Sequence, residues 1–239
     1  MSEIVWVNPV KGDAFDADTL TMIESVRSPH HTLRLRHLEE GPAHLEYHLY
    51  EHQALGPMLE IFREAERDGC RAAVIGCFYD GGLREAREVL RMPVVGMGEA
   101  AMLLAATLGH RFSIIVGRRK WIPKMEDNAV LLGIDRKLVS MRSVELGMPE
   151  FIADPEGFFD ATIEQAKRAV EHDGAEVVVL SELTSPEFCD RARTEVPVPM
   201  VDPGRACWKW AEMMADLYER TGLSHVDGLG HEAPPELRV

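Results

Sequence analysis

The sequence predicts an α/β fold of two similar lobes, each built on a parallel sheet, and three observations carry that expectation. Short apolar runs bounded by turn residues alternate with longer stretches of helical periodicity, the pattern of strands joined by crossover helices. The plan of residues 68–100, DGCRAAVIGCFYDGGLREAREVLRMPVVGMGEA, recurs at 173–206, DGAEVVVLSELTSPEFCDRARTEVPVPMVDPGRA. Asp-Gly, apolar run, turn, helix, proline-led strand and Gly-x-Ala follow in the same order. A chain of 239 residues that is 46% hydrophobic can bury one large core or two modest ones, and the duplication selects two. The first lobe is expected over 1–108, completed by part of the helical region 203–221, the second over 109–202, and a C-terminal tail over 222–239.

Taken in order, residues 3–7 read as a strand ending at Asn8-Pro9, and 16–26 as a helix with Asp16 in place to cap it. Residues 32–37 alternate as a second strand. Gly41-Pro42 then opens a helical stretch to Arg67. A strand at 72–75, a helix at 83–90, a strand at 93–95 and a helix at 99–108 complete the first lobe. The second repeats the plan, with strands at 112–116, 138–141, 177–180 and 199–201 and helices near 124–132, 158–172, 187–193 and 204–218. The tail, rich in Gly, Pro and His, reads as coil.

Composition excludes several classes of function. No apolar run approaches the roughly eighteen residues of a membrane span, and the N-terminal MSEIVWVNPV lacks the basic-then-apolar pattern of a signal peptide, so a cytoplasmic protein without a membrane partner is expected. A formal charge of -14 would repel a phosphate backbone, which argues against a nucleic-acid partner. The four cysteines, Cys70, Cys77, Cys189 and Cys207, have no C-x-x-C spacing and are too few for a disulfide scaffold, so they read as free thiols. Cys70 and Cys207 have the apolar neighbours of small core residues, and Cys189 lies within a helix. Cys77 differs because it follows the end of a strand.

Aligned on Asp-Gly, Asp68 falls on Asp173 and Cys77 on Glu182, both at an offset of 105 residues (173 minus 68; 182 minus 77). Ligands of parallel open sheets bind beyond the carboxyl ends of the strands. Lobes related by a pseudo-twofold axis would therefore bring a thiol and a carboxylate to the cleft between them. Proton transfer at a carbon acid without a cofactor needs a base on one face and, for inversion, an acid on the other. A thiol with an ordinary pKa of about 8.5 needs a helix N-terminus or backbone donors to ionise, which the turn at Gly81-Gly82 would supply. A carboxylate with a pKa of about 4.3 suffices for an acidic carbon or for handling water. The plain alternatives are a buried structural thiol at Cys77 and a salt bridge at Glu182.

The stretches GCFYDGGLREAREV and PVVGMGEAAMLLAATLGHRFSIIV resemble the aspartate/glutamate racemase superfamily, most closely its hydantoin and allantoin racemases, and the resemblance runs over about residues 4–217. It implies two pseudosymmetric flavodoxin-like lobes, an active site in the cleft between them, no cofactor, no metal, one catalytic cysteine per lobe, and homo-oligomers. Cys77 matches the first cysteine, and Asn8, in VNPV, matches an asparagine close to the substrate. Three positions depart from the pattern. The second cysteine is replaced within Ser181-Glu182-Leu183-Thr184, a pair of hydroxyl residues is replaced by Val116-Gly117, and Tyr79 stands where glycine is usual.

Substrate contacts are expected from Asn8, Tyr79, Asp80, Ser181, Thr184 and Arg118, the last in a basic cluster with Arg119 and Lys120 that is otherwise surface charge. Asp80 would equally serve as a helix cap. His44, His48 and His52 repeat every four residues, with Glu46 and Glu51 nearby, as metal ligands can, but a solvated helix face explains them as well. Met97, Met102, Met213 and Met214 read as core filler. The expected function is racemisation or isomerisation of a hydantoin-like ring or related small carbonyl compound by Cys77 and Glu182. Two alternatives stand beside it. In one, the Cys77 thiolate is the nucleophile of a hydrolase, lyase or desulfhydrase, for instance on a thiohydantoin, with Glu182 as acid/base. In the other, the protein binds a small molecule without turnover.

Overall fold

The computed structural model of the protein describes residues 2–182, 185–226 and 228–237. The chain divides into two compact units, Met1–Met97 with Cys207–Val239, and Gly98–Ala206. In the first, strands β1 (Ser2–Lys11), β2 (His31–Leu38), β3 (Ala72–Ile75) and β4 (Val94–Gly96) alternate with helices α1 (Asp16–Glu24), α2 (His48–Arg67) and α3 (Leu83–Val89). The strands form one parallel sheet in the order β2-β1-β3-β4. Helix α4 (Met97–Leu108) leads into strands β5 (Phe112–Val116), β6 (Leu138–Ser143), β7 (Val177–Leu180) and β8 (Met200–Val201), parallel in the order β6-β5-β7-β8. Helices α5 (Ile122–Leu131), α6 (Met148–Ala153), α7 (Pro155–Asp173) and α8 (Pro186–Glu195) connect them, and α9 (Pro203–Thr221) closes the order of helices. The two sheets thus share one topology, and β3 and β7 lie 105 residues apart at both ends (177 minus 72; 180 minus 75).

Each unit has its own core, and the strand and helix periods explain its membership. In the first, Val5 and Val7 pair with Ala73 and Ile75 and point to one face, where they meet Ala54, Met58, Phe62 and Ala65 of α2, spaced by three or four residues. In the second, Ile115, Val178 and Leu180 meet Phe158, Phe159, Ile163, Ala166 and Ala169 of α7 in the same way. Continuous burial along β3 and β7 is why these strands read as unbroken apolar runs, and β5 is as fully buried around Ser113, whose hydroxyl bonds Ser140.

Four local expectations are corrected. β1 does not stop at Asn8-Pro9 but runs to Lys11, because its pairing with β2 shifts register between Asn8 and Lys11 and so tolerates the proline. Asp16 is the first residue of α1 rather than its cap, and its carboxylate is drawn to Asn8 and His37 instead. α2 begins at His48, not near Gly41: Gly41 has φ 147, and the Pro42 carbonyl accepts the Lys11 N–H at 2.8 Å. His44 therefore lies outside the helix, edge-on to Tyr50, and the three histidines do not share a helical face. The short helix α6 is an addition that sequence periodicity did not indicate. The unit boundaries fall at 97/98 and 206/207, so α4 groups with the second unit.

Gly76, directly after β3, packs tightly against β1. A Cβ there would lie 2.4 Å from Trp6 Nε1, 2.7 Å from the Val7 carbonyl oxygen and 2.8 Å from Asn8 Oδ1. Gly76→Ala should lower stability by about 2–3 kcal/mol through overpacking, read as a lower urea midpoint at unchanged m-value.

Candidate active site

The chain turns as soon as β3 ends. Cys77 N–H donates to Ile75 O at 2.9 Å, and Asp80 N–H donates to Cys77 O at 3.2 Å. Asp80 has φ 54 and Gly82 φ 85, so two left-handed residues lie within this turn, a conformation that costs an aspartate about 1 kcal/mol. The Asp80 carboxylate lies against the end of β4, where a Cβ on Gly96 would come within 2.6 Å of Oδ1. Gly82 holds the N-cap position of α3, and the Asp80 carbonyl accepts from Leu83 N–H at 3.3 Å. The Cys77 thiol is half-buried against the core under α2 and α3. Tyr79 is buried, its ring edge-on to Phe78.

Asn8 adjoins this turn but is engaged within the protein. It is 3% exposed. Its Oδ1 accepts from Trp6 Nε1 at 2.9 Å, and its Nδ2 donates to Asp16 Oδ1 at 2.8 Å and to Thr19 Oγ1 at 3.3 Å. The second Asp16 oxygen meets His37 Nδ1 at 2.8 Å. Asn8 therefore ties the ends of β1 and β2 to α1 beside the glycine that precedes Cys77.

In the second unit, Ser181 and Glu182 follow β7 as Gly76 and Cys77 follow β3. Ser181 is buried, and its hydroxyl donates to Glu182 Oε1 at 3.3 Å. Val7 pairs with Ile75 and Ile115 with Leu180, so Val116 is the counterpart of Asn8 and brings no amide to this strand end. Gly117 has a packing reason: a Cβ there would sit 2.8 Å from the Leu146 carbonyl oxygen, and Leu146 N–H donates to Gly117 O at 3.1 Å. The same Cβ position is 3.9 Å from Glu182 Oε1. Arg118 is half-buried at the next position, whereas Arg119 is exposed and paired with Glu145 at 2.9 Å. Ile115, Val116, Phe158, Phe159, Thr162, Leu180, Ser181 and Glu182 line a recess of ≈ 10 Å³, room for about one water and not for a ring. Thr184 lies outside the described residues.

Cys77 and Glu182 belong to different units. Within the units, the turn brings Cys77, Tyr79 and Asp80 together with Asn8 at its base, and the second strand end groups Ser181 and Glu182 beside Gly117, which precedes Arg118. Among the described residues no group of three or more His, Cys, Asp or Glu side chains converges as a metal site would need, and no helix is long and apolar enough to cross a membrane. One residue that the sequence offers only as a neighbour of the histidine repeat has a different setting in the structure. Glu51, on the first turn of α2, lies against Gly81, and its only local signal is the i,i+3 spacing from His48.

The family model for Asp/Glu/Hydantoin racemase matches residues 7–211, a span that includes both strand ends. The chain belongs to the Asp/Glu/hydantoin racemase family. It is 34% identical over 181 residues to the hydantoin racemase of Pseudomonas sp. (strain NS671), covering 76% of this chain and 73% of that protein. It is 31% identical over 208 residues to the hydantoin racemase of Rhizobium meliloti, covering 87% and 86% respectively. The solved allantoin racemase from Klebsiella pneumoniae superposes with a TM-score of 0.87 at 24% identity, over 98% of this chain and 94% of that one. That likeness fixes the racemase fold with its two parallel sheets.

The other thiols of this racemase-family chain differ from Cys77 in setting. Cys207 is buried, Cys189 is half-buried in α8, and burial pushes the Cys70 thiol up to about 12. Iodoacetamide at pH 8 should therefore modify Cys77 well ahead of Cys70 and Cys207, as read by peptide mass spectrometry. Because the Cys70 pKa is raised on folding, its contribution to stability is complete below the unfolded value near 9 and is lost as pH rises towards 12.

Proposed function

We propose that this protein is a cofactor-independent enzyme acting on a hydantoin-like ring or a related small carbonyl compound, with Cys77 and Glu182 as its proton-transferring pair. The observation that carries the reading is the equivalence of the two residues, each the second residue past the end of the central β3 or β7 strand, in a chain whose relatives are named hydantoin racemases. One group takes the proton beside the ring carbonyl, and the other returns a proton to the opposite face. A carboxyl group and a thiol in water differ by about four pKa units, roughly 6 kcal/mol, so the two directions start from unequal protonation states. A substrate whose carbon is already acidic, as in a ring flanked by carbonyl and nitrogen, keeps both directions within reach.

A second reading has its own support. Glu182 borders a recess with room for about one water, and a carboxylate that handles water suits hydrolytic chemistry in which the Cys77 thiolate adds to a carbonyl or thiocarbonyl carbon. Release of hydrogen sulfide from a thiohydantoin would be one such reaction.

Proton NMR in deuterated buffer with single enantiomers of 5-substituted hydantoins and thiohydantoins separates the two. Racemisation gives deuterium at C5, loss of optical purity and no new compound. Cys77→Ala should then lower the rate by at least about 10²-fold, while Glu182→Gln stops interconversion but leaves exchange on one face. Formation of hydantoin from thiohydantoin would replace the racemase reading with the hydrolytic one, and absence of both reactions would overturn the two together.

A further inference from the structure

Glu51 has no part in the proton transfers proposed above, yet its surroundings connect it to the thiol. It stands on the first turn of α2 with its side chain only 9% exposed, beside His48, whose Nδ1 lies 3.1 Å from Glu51 Oε2 and whose own side chain is 61% exposed. A Cβ built on Gly81 would meet Glu51 Oε1 at 3.0 Å, its Cδ at 3.3 Å and its Cβ at 3.5 Å. Gly81 does not have positive φ, so the backbone itself would accept a side chain there, and Glu51 occupies the space. One residue on, a Cβ on Gly82 would fall 2.6 Å from Leu55 Cδ1 and 2.9 Å from Met58 Cε. The first turns of α2 thus press on two consecutive glycines of the Cys77 turn. The thiol packs against the cluster to which Ala54 and Met58 belong, as Leu55 does.

We propose that Glu51 is a positioning residue, whose side chain fills the space over Gly81 and fixes the Cys77–Gly82 turn in the one conformation that presents the thiol. The inference rests on the reading of Cys77 as the reacting thiol. It assigns the work to the shape of the side chain. A carboxylate in the first turn of a helix also favours the helix dipole by a few tenths to about 1 kcal/mol, which would be a structural role alone.

The test is a double-mutant cycle between Glu51 and Gly81, read by two measurements: the pH profile of Cys77 alkylation by iodoacetamide, with Cys189 as internal reference, and kcat against KM. Glu51→Ala should slow Cys77 alkylation and lower kcat by about tenfold or more with KM changed less than about threefold, since a displacement near 1 Å is enough for such losses. The isosteric Glu51→Gln should stay within about threefold of wild type in both. Gly81→Ala should be impaired in the wild-type background and harmless in Glu51→Ala, giving a measurable coupling. If Glu51→Ala leaves both readouts within twofold while only the melting temperature falls, or if Glu51→Gln is as impaired as Glu51→Ala, the proposal is overturned. Should Glu51→Ala not fold, Gly81→Ala decides alone: unaltered Cys77 alkylation in that variant overturns it. Loss of turnover in Cys77→Ala tests the assignment of the thiol separately, because alkylation needs no substrate.

Discussion

The first unit depends on one close approach, that of the Gly76 backbone to Trp6 and Asn8. Because no side chain intervenes, the end of β3 can lie flat against β1, with Gly76 N–H bonded to Val7 O at 2.8 Å. The parallel ladder from Ile4–Ala72 to Val7–Ile75 is thereby carried one step past the strand. Cys77 is the next residue. The direction in which the thiol leaves the sheet follows from that packing, as does the left-handed turn through Asp80 and Gly82 that returns the chain to α3.

The second unit solves the same topological problem with different contacts. Ser181 replaces Gly76 and bonds to Glu182, and Val116 replaces Asn8. Gly117 is held bare by the Leu146 carbonyl. The fold is shared between the halves, while the chemistry at the strand ends is not, and a family whose relatives are racemases supplies the scaffold in which that asymmetry is set.

Much of this was readable in the sequence because it is local or periodic. The strands at 72–75, 112–116 and 177–180 have the same ends in sequence and structure, since a strand buried on both faces has no polar alternation to blur them. The equivalence of Cys77 and Glu182 came from the duplicated Asp-Gly register, which the two sheets reproduce. What sequence did not reveal depends on distant partners. Asp16 satisfies every local rule for a helix cap, yet Asn8 and His37 compete for its carboxylate. Gly41-Pro42 reads as a helix start until the Lys11 N–H claims the Pro42 carbonyl. Glu51 meets Gly81 thirty residues later (81 minus 51), and no window over α2 contains that contact.

The discontinuity of the first unit bears on how the protein is made. Gly98–Ala206 is one unbroken stretch, whereas the first unit needs both Met1–Met97 and Cys207–Val239. The late segment is not trim: Cys207, Trp208, Ala211 and Ala215 of α9 are buried, and Glu212 accepts hydrogen bonds from Trp208 Nε1 and from the N–H and hydroxyl of Ser28. During synthesis, the β1 sheet therefore waits for α9 to leave the ribosome, while the second unit already has its whole sequence. The unit that carries Cys77 therefore cannot close its core until the segment from Cys207 onward has been made, and a chain that stops short of it leaves that core without its α9 residues.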